Sequence, residues 1–245
     1  MARDLEELRK LLDRVMIVAS EAEETALIAA LLSRDRPGVV SFINQYGLNL
    51  ARDDLRFLSD LCGADVLLRD GVGMEVALRL IGTDPGHNAN GTDFIPRLLA
   101  SAGGRKTALF GTCEPWLDLA SKRASALGCL VVATVDGFQA EAVYEEAVQR
   151  ARPEIVVLGM GMPRQERVAG RLSRLADWPC LIINGGAVLD FWAGRFRRAP
   201  RWLRTARLEW MYRLAQEPRR LAPRYVEGGG HFALTLARLG WEARP

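Results

Sequence analysis

The sequence predicts an α/β fold: a Rossmann-like, mostly parallel sheet with helices on both faces, followed by a helical basic appendage at the C-terminus. Three observations carry this reading. From Lys106 to Ile183 short apolar runs alternate with segments of helical period, as a parallel sheet requires when strands are joined by crossover helices. The apolar runs give way to Gly, Asn or Asp, so the chain turns polar at the same end of each strand. From Arg195 to Tyr225 there are ten arginines, no lysine and two acids, a net +8 in a chain whose total is +3. The positive charge is therefore an appendage and not a general property. The chain is expected to divide into residues 1–194, the α/β domain, and 195–245, an arginine- and tryptophan-rich appendage suited to an anionic partner or a membrane surface.

Taken in order, Leu5, Leu8, Leu11 and Leu12 give a short amphipathic helix. Strands are expected at 15–19, 39–43, 64–69, 107–110, 130–134, 155–158 and 180–183. Helices are expected at 21–33, 48–61, 74–81, 91–101, 115–127, 141–152 and 164–175. A polar loop, 82–90, interrupts the alternation. In such sheets ligands lie beyond the carboxyl ends of the strands. That rule singles out Asn44, Asp70, Gly111, Thr112, Asp136, Gly159, Gly161, Asn184 and Gly185.

Composition narrows the chemistry. With 49% hydrophobic and 26% charged residues, the length suits one large domain, or a domain of about 190 residues with an appendage. The first fourteen residues are charged throughout, unlike a signal peptide, and no run approaches the ~18 apolar residues of a membrane-spanning helix. A cytoplasmic protein, soluble or peripheral on the membrane, is expected. Four scattered cysteines (Cys62, Cys113, Cys129, Cys180) read as buried free thiols, and two distant histidines leave no zinc cluster. No G-x-S-x-G turn accompanies them. The chemistry falls to carboxylates.

Gly159-Met160-Gly161-Met162-Pro163-Arg164-Gln165-Glu166 follows an apolar strand and opens a helix. Small residues there let backbone N–H groups approach a phosphate, and Pro163 suits the first helical position; a tight structural turn has the same residues. Asp70, freed by Gly71-Val72-Gly73, is placed to take a proton from a bound hydroxyl, or to cap the next helix. Asp93 faces the same choice and is the better cap; Asp190, before Phe191-Trp192, reads as near a ligand. On one helix through 200–214, Leu203, Ala206, Trp210 and Leu214 form a stripe flanked by Arg204, Arg207 and Arg213, the pattern of a helix in an anionic membrane interface or of one packed on its own domain. No nucleic-acid-binding motif accompanies the charge.

Asp70-Gly71-Val72-Gly73, Asn90-Gly91-Thr92-Asp93, Gly159-x-Gly161-x-Pro163-Arg164-Gln165-Glu166, Asp190-Phe191-x-Ala193-Gly194, Arg198-Ala199-Pro200 and Leu208-Glu209-Trp210-x-x-Arg213-Leu214-x-x-Glu217-Pro218-x-Arg220 occur in that order. Together they resemble the WecG/TagA/CpsF family, glycosyltransferase family 26, over roughly Val15 to Tyr225. The resemblance implies inverting transfer of a sugar, N-acetylmannosamine-type or a related hexose, from a UDP-sugar to a polyprenyl-diphosphate-linked acceptor in bacterial cell-surface polysaccharide synthesis. It implies Asp70 as base, Asn44 and Gln165 at the site, and an appendage that binds the membrane and brings Arg213 and Arg220, with Arg224, over the site. Asn90, Thr92 and Asp93 fall in the acceptor and sugar region. Self-association through the α/β domain is also implied.

Two departures bear on the substrate. Phe42 stands where the family often has Thr before its Pro-Asn, and Asn88 stands where it often has Arg. No D-x-D occurs, so a metal-free mechanism with no cofactor is expected, with arginines and helix N-termini meeting the diphosphate. Two other readings compete. A nucleotide-dependent oxidoreductase would need a first-strand G-x-G-x-x-G, which is missing. A membrane adaptor would need neither Asp70 nor the 159–166 turn.

Overall fold

The computed structural model describes residues 2–242, with side chains described except at 2–4, 220, 223–227 and 240–242. Among them six strands form one parallel sheet: β1 (Gly38–Ile43), β2 (Val66–Arg69), β3 (Lys106–Gly111), β4 (Leu130–Val135), β5 (Ile155–Gly159) and β6 (Leu181–Asn184). Their order is β2-β1-β6-β5-β3-β4. The helices are α1 (Ala2–Asp13), α2 (Glu21–Leu32), α3 (Gln45–Asp53), α4 (Leu55–Cys62), α5 (Gly71–Leu80), α6 (Gly91–Ser101), α7 (Trp116–Ala126), α8 (Glu141–Ala151), α9 (Arg164–Leu175) and α10 (Val188–Trp192), then α11 (Arg201–Thr205), α12 (Glu209–Gln216) and α13 (Pro218–Glu242) in the tail.

Alternation along the strands decides how the sheet is covered. Val40, Phe42, Leu109, Val157 and Ile183 face α2, α6, α7 and α10. Val39, Ala108, Phe110, Val156 and Ile182 face α8 and α9, and Ile43 and Leu67 face α1, α3, α4 and α5. Strands buried on both sides explain why β1, β2, β5 and β6 read as nearly continuous apolar runs. The helix leaving β3 covers one face and the helix leaving β5 covers the other. The crevice between those two strand ends is the topological switch point, where such folds take ligands.

Three expectations are corrected. Residues 15–19 form no strand. Val15 makes one parallel bridge to Leu67 and the Met16 amide donates to the Leu67 carbonyl (2.8 Å), after which the Val18 carbonyl accepts from the His87 amide (2.7 Å), so a loop takes over from the sheet after the first two residues. The helix expected over 48–61 is two helices, because Asp54 turns extended and its carboxylate accepts from the amides of Arg56 and Phe57 (2.9 and 3.0 Å), capping α4. The single helix through 200–214 is broken at Arg207, whose φ of 61° ends α11. The expected stripe of Leu203, Ala206, Trp210 and Leu214 is therefore shared between two short helices.

The tail is not of one kind. α11 and α12 contain no buried residue. In α13, by contrast, Phe232, Leu236 and Leu239 are buried against Leu8, Leu11, Leu48 and Phe57, and Asn49 Nδ2 donates to the Gly228 carbonyl (2.7 Å). The end of the chain thus completes the apolar layer over α1 and α3. All four cysteines are free, Cys129 and Cys180 buried and the other two half-buried.

Candidate active site

The first cluster sits at the ends of β1 and β2. Their register pairs Ile43 with Arg69, which brings Asn44 and Asp70 to the same level. Asn44 caps α3, its Oδ1 accepting from the Gly47 amide (3.0 Å). Asp70 occupies the cap position of α5, yet its side chain makes no capping bond. Gly71 turns the chain there with φ 84°, a conformation that favours glycine. The carboxylate is thus left unspent by the backbone. Burial lifts its pKa above the ordinary carboxylate range; Arg213 pulls it back, Glu209 adds to the rise, Arg69 opposes it and Asp93 adds again. Arg213 reaches this point from α12, its guanidinium 5.2 Å from the Phe191 ring.

Arg69 is a brace behind Asp70 that the sequence did not reveal. It is 5% exposed, and its guanidinium donates to the carbonyls of Pro85 (2.6 Å) and Gly86 (2.7 Å) and to Asn88 Oδ1 (3.2 Å). Asn88 Oδ1 also accepts from the Gly71 amide (3.3 Å). The 82–90 loop is thereby tied to the turn that carries Asp70. His87 Nε2 lies 3.1 Å from buried Glu24, which also meets Arg97 at 3.3 Å, and this fixes the same loop from behind. A strand-terminal arginine ordinarily reads as solvated, so only the fold exposes this role.

Asn90, Thr92 and Asp93 open α6. Asn90, and not Asp93, is the cap: its Oδ1 accepts from the Asp93 amide (3.1 Å) while its Nδ2 donates to Asp93 Oδ2 (3.0 Å). Asp93 in turn receives both terminal nitrogens of Arg198 in a bidentate pair, Nη2 at 2.5 Å from Oδ2. Burial alone would raise its pKa, but hydrogen bonds from Arg198 and Asn90 hold it below the ordinary value. Thr92 is half-buried in the first helical turn.

The second cluster lies at the β3/β5 switch point. Gly111 has φ 153°, and a Cβ there would fall 2.3 Å from the Gly159 carbonyl oxygen, so only glycine fits. Thr112 continues with φ 45°; its amide donates to Gly159 O (3.2 Å) and its hydroxyl to Asp190 Oδ1 (2.6 Å). Arg195 Nη1 lies 3.1 Å from the same Asp190 oxygen. Asp136 accepts from the Phe138 amide (2.7 Å) and closes the turn after β4. Pro163 follows a cis peptide and immediately precedes α9, one position earlier than expected.

Between the clusters lie braces. Gln165 is 1% exposed, and its Oε1 accepts from the amides of Gly161 (3.1 Å) and Gly186 (3.0 Å), joining the turns after β5 and β6. Asn184 Nδ2 donates to Ser41 (2.7 Å), and the Gly185 amide donates to Leu158 O (2.7 Å). These side chains hold the floor in place and do not project from it. The side chains of Arg220 and Arg224 lie outside the described residues. No group of three or more His, Cys, Asp or Glu among the described residues is arranged to hold a metal ion.

Glu166, next to Gln165, is 2% exposed with Oε2 unpartnered, and burial pushes its pKa up to about 7. In the unfolded chain the value is near 4.5. Folding therefore takes up a proton between those values: the stability present below pH 4.5 is lost as pH rises through 7, by about 3 kcal/mol. Glu166→Gln should flatten the fall in melting temperature between about pH 4.5 and pH 7, and an unchanged pH profile in thermal melts would contradict this.

A sequence model described as the glycosyl transferase WecG/TagA/CpsF family matches residues 10–244. The chain is also 28% identical over 185 residues to an N-acetylglucosaminyldiphosphoundecaprenol N-acetyl-beta-D-mannosaminyltransferase of Bacillus subtilis strain 168, covering 74% of this chain and 72% of that protein.

Proposed function

The chain belongs to the WecG/TagA/CpsF family of glycosyltransferases, and on that premise we propose that it moves a hexose, of the N-acetylmannosamine type, from UDP to a sugar on a polyprenyl diphosphate, with inversion. The observation that carries this is Asp70: a carboxylate raised by burial, unspent as a cap, and within the field of Arg213. From β2 to β5 is three strand spacings, about 14 Å. A nucleoside in the β3/β5 crevice whose diphosphate extends towards β2 would bring its sugar to Asp70.

In this reading Asp70 takes the proton from the acceptor hydroxyl as that oxygen attacks the anomeric carbon from the face opposite the leaving UDP. The C–O bond to the diphosphate breaks, and its electron pair leaves with UDP. Arg213, together with Arg220, neutralises the departing charge in place of a metal. The relative's name gives an N-acetylglucosaminyl diphosphoundecaprenol as its acceptor, which supports a lipid-linked acceptor here. No described helix is long and apolar enough to cross a membrane. Trp202 (68% exposed) on α11, next to exposed Arg201, and Met211 (49% exposed) on α12 support a peripheral foot on the anionic cytoplasmic face.

The test is a panel of nucleotide-sugars, with and without short polyprenyl-diphosphate-linked sugars, read by UDP release and by the anomeric configuration of the product. Activity should persist in excess EDTA. Strong loss that is restored by a divalent ion would refute the arginine assignment, and no UDP release with any pair would refute the function.

A further inference from the structure

The segment 197–216 has no hydrophobic anchor in its helices, yet it carries Arg213 to Asp70. Ala199, ahead of those helices, is its one buried side chain, and most of what fastens the rest is polar. Gln216 closes its neck, Oε1 accepting from the Arg197 amide (2.9 Å) and Nε2 donating to the Arg197 carbonyl (2.8 Å). Two ion pairs then fasten it to the core. Arg198 grips Asp93 bidentately on α6 and lies 3.8 Å from Glu209 on α12. On the other side Arg207, at the left-handed break between α11 and α12, meets Glu75 of α5 at 2.6 Å. Glu75 is 7% exposed, and Arg79 also reaches it at 3.4 Å.

The placement of the two carboxylates gives the arrangement its meaning. α5 starts directly after Asp70, and α6 starts with the Asn90 cap. We propose that Asp93 and Glu75 form a two-point electrostatic latch that closes segment 197–216 over the site and positions Arg213 above Asp70. Neither carboxylate touches substrate in this role, so both are positioning residues. The inference rests on the functional reading for its catalytic consequence but not for the closure itself. A segment held by half-exposed ion pairs opens as salt rises, whereas one held by apolar burial does not.

The groups facing Asp70 are Arg213 and Glu209 from α12, Arg69 from β2 and Asp93 from α6. Opening the latch removes the α12 pair and leaves Arg69 and Asp93.

The experiment uses the full chain carrying Arg198→Gln, Arg207→Gln, or both, so that the core helices keep their own residues. Amide hydrogen exchange in 201–216 should quicken by about tenfold in the double variant, while β1, β5 and β6 keep their protection. Its kcat should fall by more than its KM for the sugar donor rises. Wild-type protein at high salt should reproduce both changes, and salt should then have little effect on the double variant. Unchanged exchange in 201–216 overturns the latch whatever the enzymatic result, and so does faster exchange with unchanged kcat. Absence of transfer by the wild type refutes the functional reading instead, and exchange alone then decides whether the segment is latched.

Discussion

Asp70→Asn is expected to lower sugar transfer by about 10²–10⁴-fold, the usual contribution of a positioned general base, while the protein stays folded. The second half of that statement follows from how the carboxylate is held. It accepts no capping bond from α5, so the amide removes no helix cap. It replaces a group whose ionised form burial disfavours, so the variant should melt no lower than the parent, most clearly above neutral pH. The wild-type profile supplies the control. Asp70 must be ionised to act, and burial raises its pKa, so the acid limb of kcat/KM should lie above the range of a solvated carboxylate. A folded Asp70→Asn protein with near-parental transfer would remove Asp70 from the mechanism.

The parts of the architecture legible in the sequence were those governed by strand burial and glycine turns. The runs at β1, β5 and β6 are almost wholly apolar because both faces of the sheet are covered, and Gly111 and Gly159 mark the switch point because a Cβ on the first would strike the Gly159 carbonyl and one on the second would strike Leu189 of α10. The parts not legible depend on contacts distant in sequence. Residues 15–19 have the composition of a strand, but the Val18 carbonyl is taken by His87 sixty-nine positions later. The tail read as one basic unit because charge count does not distinguish an arginine facing lipid from one paired with a core carboxylate. Arg198 and Arg207 are of the second kind, with partners 105 and 132 residues away. Asp93 shows the same limit: pattern reading offered a cap or a ligand contact, and its side chain is spent on Asn90 and Arg198.

Ending the chain at Gly194 should cost both transfer and stability, and comparison with Arg213→Ala separates the two losses. The truncation removes the arginines from the site, but it also strips Phe232, Leu236 and Leu239 from the layer over Leu8, Leu11 and Phe57. Removing even one such side chain typically costs about 2–5 kcal/mol, and a whole domain holds only about 5–15. The truncated protein should therefore melt well below the full chain and bind hydrophobic dyes. Arg213→Ala removes no buried apolar side chain, only the contact of the guanidinium with the Phe191 ring. It should melt like the parent yet lose about 10²–10³-fold in kcat, the scale of a preorganised charge placed where a leaving group develops its own. Binding to anionic vesicles divides them again: Trp202 and Met211 remain in the point variant, so it should still sediment with lipid, while the truncated chain should not. Equal melting of the truncated and full chains would show that α13 is dispensable to the core. Full transfer by Arg213→Ala would leave the departing diphosphate to another cation.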